Sequence, residues 1–421
     1  MMIKIKLHSG VKLGDNMRKI LIALGVIGVI VAALLVLNWN HIERLMRVKN
    51  FLDPDKVVYN FAHAEEGFHS KTLSTSAPEQ VWEKDPKPLP EELHFFNKSQ
   101  ATQSYLDQTH ATALLVIKDG VIRFEDYYQG AKAGDHRISW SIAKSFLSTL
   151  IGAAIDRGDI GSVEEPMDKY APALKGTAYE GVAIRHVLNM SSGVRFNEDY
   201  FDNNSDVVKM TNILAIQGSL DEFTTRYTER DFEPGTAMRY VSIDTHALGM
   251  VLRGASGKSV SENFETVLGS HLGFSKGISY LTDSEGSEYV LGGLNLSARD
   301  YALLGQLFLQ DGEWNGGQIV SEAWVRASTA NSAPPRLDGG KLGYGYQWWV
   351  PAPRPEPEFA GDYVAAGFYG QHIYVNPAHG TVIVKLSTFK DASELNENGV
   401  PHGLITMEFY RALSQHYAGV E

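Results

Sequence analysis

Strand-like segments lie at both ends of the main part of this 421-residue chain, and helical patterns fill the space between them. The strand-like runs are residues 113–117, 121–128, 372–375 and 381–386. The helical patterns, recognised by apolar residues at helical spacing, are residues 141–155, 245–253, 297–310 and 401–417. We therefore predict an α+β fold. Its antiparallel sheet is built from the first and last strands and packed by helices, with a mainly helical subdomain inserted between them.

A second constraint is an uninterrupted apolar run from Ile20 to Leu37. A helix of this length, at about 1.5 Å per residue, crosses most of the ~30 Å hydrocarbon core of a bilayer. Basic residues precede the run, Trp39 follows it in the position of an interfacial anchor, and no small-residue cleavage pattern comes close behind. We predict an uncleaved transmembrane signal anchor at residues 20–39, in preference to a cleaved signal peptide. The membrane is then an expected partner of residues 20–37.

The predicted anchor divides the chain into four parts. Residues 1–19 form a basic cytoplasmic segment, residues 40–100 a spacer rich in proline and charge, and residues 101–421 one folded domain. The basic cluster before the anchor is larger than the one after it, so we expect the amino terminus to lie inside the cell. The chain would then be a single-pass inner membrane protein with its domain on the periplasmic side. Met17 is an alternative start that leaves a shorter basic segment.

Charge and cysteine content exclude several kinds of function. Acidic residues outnumber basic ones by 50 to 38, which is the wrong sign for a chain whose main partner is nucleic acid. The sequence contains no cysteine, which excludes disulfides, thiolate metal sites and a cysteine nucleophile. No histidine pair has the spacing typical of a metal site, so we expect neither a metal nor a cofactor. Nucleophilic catalysis, if present, must therefore rest on an oxygen.

Ser141 and Lys144 form a candidate catalytic pair. The helical pattern places Ser141 at the amino terminus of a helix, and Lys144 follows one turn later on nearly the same face. An amine beside a serine hydroxyl in a dry site can act as its base when loss of hydration lowers the amine pKa from ~10.4 towards neutrality. Free N–H groups at the helix start can stabilise an oxyanion. Alone, this spacing is a weak signal, because serine caps many helices.

Three further segments support the pair. They are residues 234–242 (PGTAMRYVS), 184–193 (IRHVLNMSSG) and 292–300 (GGLNLSARD). With the Ser141 segment they resemble the serine hydrolases of the beta-lactamase-related and penicillin-binding superfamily, from about residue 100 to the end of the chain. The resemblance implies a beta-lactamase-like fold. It also implies that Ser141 is the nucleophile, Lys144 its base and Tyr240 the phenol that relays a proton to the leaving group.

The third motif of that superfamily departs from its usual form in this sequence. Residues 365–371 read AAGFYGQ, with no cation where the superfamily usually has lysine or histidine. Beta-lactamases and carboxypeptidases of the superfamily use that cation to bind a substrate carboxylate, so its absence argues against both activities. Ser242 stands where asparagine is more frequent, which points the same way. The pattern resembles most the branch that contains 6-aminohexanoate-dimer hydrolase and related esterases.

That resemblance implies the remaining site residues. The backbone N–H groups of Ser141 and Phe368 would form the oxyanion hole, and Ser242, Gly367 and Tyr200 would contact the substrate. We therefore expect hydrolysis of a small-molecule amide or ester through an acyl-enzyme on Ser141. Two alternatives stay open. One is a peptidoglycan D-amino acid peptidase or beta-lactamase, and the other is a non-hydrolytic envelope binding protein.

Overall fold

The structure is a computed structural model that describes residues 14–37, 39–95, 98–215, 218–352, 359–389 and 402–419. Residues 1–13 of the predicted cytoplasmic segment lie outside this part of the chain. The strands of the described residues are β1 (His69–Thr72), β2 (Glu83–Lys84), β3 (Glu92–Phe95), β4 (Lys98–Ala101), β5 (Ala111–Lys118), β6 (Val121–Tyr127), β7 (Arg137–Ile138), β8 (Ser279–Thr282), β9 (Leu294–Leu296), β10 (Glu313–Trp314), β11 (Gly317–Gln318), β12 (Gly343–Tyr344), β13 (Trp349–Val350), β14 (Tyr363–Gly367), β15 (Gln371–Asn376) and β16 (Thr381–Ser387). The α-helices of the same residues are α1 (Asp15–Leu37), α2 (Trp39–Lys49), α3 (Val57–Ala62), α4 (Thr102–Gln108), α5 (Ile142–Asp156), α6 (Met167–Tyr170), α7 (Ile184–Leu188), α8 (Asp206–Asn212), α9 (Leu220–Thr225), α10 (Ser242–Ser256), α11 (Val260–Phe264), α12 (Ala298–Leu309), α13 (Glu322–Thr329) and α14 (His402–Ala418).

The main sheet joins the two ends of the domain. Its strand order is β12-β13-β14-β15-β16-β5-β6-β2, and β16 pairs antiparallel with β5. The hairpin of β5 and β6 turns at Asp119 and Gly120, whose φ angles of 50° and 79° are those of a type I′ turn. The expected α+β arrangement, with an antiparallel sheet built from early and late strands, is therefore confirmed.

Strand β5 separates two hydrophobic cores. Its alternate side chains point to opposite faces, so that Leu115 and Ile117 join one core while Leu114 and Val116 join the other. Helices α5 and α12 cover the first face, and α4 and α14 cover the second. Burial on both faces explains why β5 reads as a continuous apolar run rather than as an alternating one.

The helices predicted from periodicity are α5, α10, α12 and α14, each within three residues of its predicted bounds. Helix α12 starts at a capping box, in which the Ser297 side chain and the Asp300 side chain bond each other's backbone N–H. Helices α5 to α11 lie between β7 and β8 in the chain, and these two strands belong to a smaller sheet of order β1-β8-β9-β7. The inserted, mainly helical part of the domain therefore adjoins this second sheet.

The segment predicted to be a spacer, residues 40–100, adds to the folded domain. Phe51, Phe61, Phe68 and Trp82 are buried in the first core. Strand β1 pairs antiparallel with β8, and β2 pairs in parallel with β6 at the edge of the main sheet. The described residues of this segment thus complete both sheets.

Helix α1 stands apart from the domain. Its stretch Met17–Leu37 is long and apolar enough to cross a membrane, and none of that window is buried. By length and composition it fits either a membrane anchor or a signal sequence.

Candidate active site

The turn from β7 into α5 presents the Ser141 side chain. Trp140 has a φ angle of 45°, a region that is costly for a bulky residue, and Ser141 then adopts helical angles directly before α5. The Ser141 side chain does not cap the helix. Its Oγ lies instead 3.0 Å from the Nζ of Lys144.

Lys144 is held in a dry position. Its side chain is only 1% exposed, and its Nζ also donates to the carbonyl oxygen of Leu291 at 2.8 Å. Burial lowers the pKa of Lys144 from its usual 10.5 to about 7, while the charge of Glu198 acts in the opposite direction and raises it. The amine can therefore accept a proton near neutral pH.

Tyr240 lies beside the same pair of side chains. The Nζ of Lys144 is 5.4 Å from the centre of the Tyr240 ring, which stacks on Trp349 at 5.4 Å and 20°. Burial raises the pKa of Tyr240, the charge of Glu198 raises it further, and the nearby Ser141 hydroxyl lowers it. The phenol is thus protonated at neutral pH and close to the Ser141 oxygen.

Gly367 brings the end of β14 against the backbone before α5. A Cβ atom at Gly367 would lie 2.5 Å from the carbonyl oxygen of Ser139 and 3.1 Å from the backbone nitrogen of Ser141. A side chain would therefore displace one of the two segments. Phe368 follows directly, at the start of the turn from β14 into β15.

Glu198 is a site residue that was not among the predicted ones, although it lies in the same acidic stretch as Tyr200. Its carboxylate accepts the Ser242 N–H at 2.7 Å, the Ser242 hydroxyl, and the Tyr200 hydroxyl at 2.5 Å. Burial raises the pKa of Glu198, and the charge of Lys144 lowers it. The signal available in the sequence was an acidic residue two positions before Tyr200.

An open cavity lies in front of Ser141. It encloses about 880 Å³ of space not filled by atoms, part of it open to solvent. Among the described residues that line it, polar side chains come from Ser141, Thr211, Asn212, Ser242 and the hydroxyl-bearing tyrosines, and none is charged. The cavity therefore offers no counter-ion to a charged part of a substrate.

Comparison with known proteins identifies the family. A family model described as Beta-lactamase matches residues 99–399. The chain belongs to the beta-lactamase family. This family member is 29% identical to 6-aminohexanoate-dimer hydrolase of Paenarthrobacter ureafaciens over 322 aligned residues. The aligned region covers 73% of this chain and 80% of the relative.

Solved structures show the same fold as this beta-lactamase family member. A Bacillus anthracis protein named as a candidate 6-aminohexanoate-dimer hydrolase superposes with a TM-score of 0.76 at 23% identity, covering 88% of this chain and 97% of its own. A D-stereospecific amidohydrolase from Streptomyces gives 0.52 at 14% identity, covering 74% and 98%. The predicted family and enzyme class, a serine hydrolase of amidase or esterase type, are confirmed.

The structure of this beta-lactamase family member brings the sequence-predicted site residues together. Those that line the cavity or contact Ser141 are Ser141, Lys144, Tyr200, Tyr240, Ser242, Gly367 and Phe368. Their individual roles in the reaction stay predictions.

Proposed function

We propose that the chain hydrolyses a small amide or ester through an acyl-enzyme on Ser141. The observation that carries this proposal is the 3.0 Å contact between the Lys144 Nζ and the Ser141 Oγ in a buried site. With a pKa near 7, the neutral amine takes the hydroxyl proton as the Ser141 oxygen attacks the substrate carbonyl carbon. The carbonyl oxygen becomes an oxyanion at this step.

The oxyanion is bound by backbone N–H groups in this proposal. The Ser141 N–H points from the start of α5, where the helix dipole also favours negative charge, and the Phe368 N–H follows the close approach at Gly367. Tyr240 passes the proton to the departing nitrogen or oxygen as the tetrahedral intermediate collapses. A water molecule then attacks the acyl carbonyl carbon, releasing the acid and restoring the Ser141 hydroxyl.

The lining of the cavity favours a neutral acyl group. No described lining residue is charged, and the third motif lacks the cation that would bind a substrate carboxylate. This supports an amidase or esterase over a beta-lactamase or carboxypeptidase. Ser242 and Tyr200, whose hydroxyls both donate to Glu198, line the cavity and would contact the substrate there.

Helix α1 serves as a membrane anchor in this proposal. The basic residues before it and its exposed apolar surface support a single-pass arrangement with the domain outside the cytoplasm. The enzyme would then act at the outer face of the inner membrane.

Labelling with a fluorophosphonate tests the proposed nucleophile. We expect one covalent adduct on native protein, located on Ser141 by peptide mass spectrometry, because only an activated serine attacks phosphorus at an appreciable rate. Heat-denatured protein serves as the control and should stay unlabelled. A native protein without an adduct would favour a non-hydrolytic binding protein, and an adduct with a fluorescent penicillin would favour the peptidoglycan-directed alternative.

Replacing Glu198 by glutamine tests the coupling between this carboxylate and the base. Because the negative charge raises the pKa of Lys144, its removal should lower that pKa further. With p-nitrophenyl acetate as substrate, kcat/KM should rise with pH as the Lys144 amine loses its proton near pH 7. In Glu198→Gln this rise should occur at lower pH.

The neighbouring exposed carboxylate gives a matched control for this variant. Asp199→Asn removes the same charge one residue away from Glu198, on an exposed side chain that accepts the backbone N–H of Phe201 in its own loop. Its pH profile should coincide with that of the unmodified enzyme. A limb that stays in place in Glu198→Gln would show that the carboxylate does not act on Lys144.

A further inference from the structure

One wall of the active-site cavity comes from the segment that follows helix α1. Val48, Phe51, Leu52 and Phe68 line the cavity together with Ser141. Phe51 and Phe68 are buried, whereas Leu52 is 41% exposed at the cavity rim. All four side chains are apolar, so this wall offers no hydrogen bond to a polar substrate group.

The same segment reaches the residue next to the nucleophile. The Trp140 ring packs edge-on against the Phe51 ring at 6.2 Å and the Phe61 ring at 5.6 Å, measured between centroids. On its other side Trp140 contacts the Phe368 ring at 5.7 Å. The apolar surface therefore continues from the rim at Leu52 to the backbone that carries the attacking oxygen.

The short helix α2 connects this wall of the cavity to helix α1. Helix α1 ends at Leu37 and α2 begins at Trp39, and Val48 lies in the last turn of α2. From Trp39 to Val48 the helix rises about 14 Å, so the cavity wall lies within one short helix of α1 along the chain. Arg47 of α2 forms an exposed ion pair with Glu66 of the domain.

A second exposed apolar side chain lies near the cavity. Phe201 is 56% exposed, and its ring lies 6.3 Å from that of Phe368, which lines the cavity. Exposed apolar side chains are unfavourable in water and favourable at a bilayer surface. A mouth of this kind beside a membrane-spanning helix would admit an apolar molecule directly from the lipid phase.

We propose that the acyl group bound in this cavity is an alkyl chain, and that the substrate is a membrane-partitioned ester or amide of a fatty acid. This rests on the proposed hydrolase function and names its substrate class. The chain enters past Leu52, lies along Phe51 and Phe68, and ends with its carbonyl carbon at the Ser141 oxygen. Each methylene buried in this way raises kcat/KM about fourfold, as expected for transfer of a CH₂ group out of water.

A chain-length series with the full-length protein in phosphatidylethanolamine–phosphatidylglycerol vesicles tests the alkyl site. We expect kcat/KM to be at least about a hundredfold higher for p-nitrophenyl octanoate than for p-nitrophenyl acetate. Leu52→Asp, which puts a charge on the rim, should reduce that ratio at least about tenfold. Val81→Asp is the matched control, because Val81 is 87% exposed and does not line the cavity, and it should keep the ratio.

A second comparison tests the route of entry. p-Nitrophenyl palmitate is placed either in the vesicles that carry the enzyme or in separate vesicles of the same composition. Faster release of p-nitrophenol from shared vesicles supports entry from the membrane. Equal rates in both arrangements overturn that part of the proposal.

The outcomes separate this inference from the hydrolase function. Equal kcat/KM for acetate and octanoate, or an unchanged ratio in Leu52→Asp, overturns the alkyl site and leaves the hydrolase intact. A fluorophosphonate adduct on Ser141 without turnover of any ester in the series also overturns it. Absence of both the adduct and turnover defeats the proposed function itself.

Discussion

Ser141→Ala is expected to lower kcat for a short p-nitrophenyl ester by at least about 10⁴-fold. The variant lacks the oxygen that forms the acyl-enzyme, and the hydroxyls of Tyr200 and Ser242 cannot replace it because both bond to Glu198. The oxyanion N–H groups remain, so a small residual rate above that of water is expected. Initial rates of p-nitrophenol release by the purified full-length protein measure the change.

Ser148→Ala is the matched control for that experiment. Ser148 lies in the same helix, and its buried hydroxyl has no hydrogen-bond partner among the described residues. Its removal should leave kcat within about twofold and should not weaken the fold. If turnover survived in Ser141→Ala as it does in Ser148→Ala, the nucleophile would have to be sought elsewhere.

Local sequence signals were sufficient for the central elements. The hairpin of β5 and β6 is specified by a Lys-Asp-Gly turn, in which Asp119 and Gly120 tolerate positive φ, between two runs rich in β-branched residues. Helix α5 follows from the 3.6-residue spacing of its apolar side chains, and this spacing also places Ser141 and Lys144 on one face. The core of the site was predictable because its chemistry depends on residues one helical turn apart.

Long-range contacts were not predictable in the same way. Strands β1 and β2 are only four and two residues long. Strand β1 pairs with β8, which lies more than 200 residues later in the chain, so that His69 is opposite Thr282. A proline- and charge-rich stretch with such short strands has no detectable period, so residues 40–100 were expected to be a spacer. The role of Glu198 in the site was not predicted for a similar reason. Its hydrogen-bond partner Ser242 is 44 residues away, and no local sequence pattern indicates that the two residues meet.

Lys144→Met is expected to lower kcat by about 10³-fold and, at the same time, to stabilise the fold. The activity falls because the general base is lost while the packing volume is kept. The stability rises because methionine needs no hydration, whereas the buried amine has a folded pKa of about 7 against 10.5 when exposed. Loss of the bond to the Leu291 carbonyl, and of the positive charge that faces the Glu198 carboxylate, offsets part of the gain. We expect a net gain on the order of 2 kcal/mol in the free energy of unfolding at pH 6.

The pH dependence of that gain distinguishes a buried amine from a general packing effect. Between pH 7 and 10.5 the unfolded enzyme holds a proton on Lys144 that the folded enzyme lacks, so the stability contributed by this group rises with pH. The advantage of Lys144→Met in urea unfolding should therefore be constant below pH 7 and shrink towards pH 10. Lys385 is the matched control, because burial lowers its pKa to about 7 as well. Its Nζ donates to the Ser387 hydroxyl at 2.5 Å, and neither residue lines the cavity. Lys385→Met should show the same stability profile and keep kcat within about threefold, and an equal loss of kcat in both variants would contradict the role of Lys144 as the base.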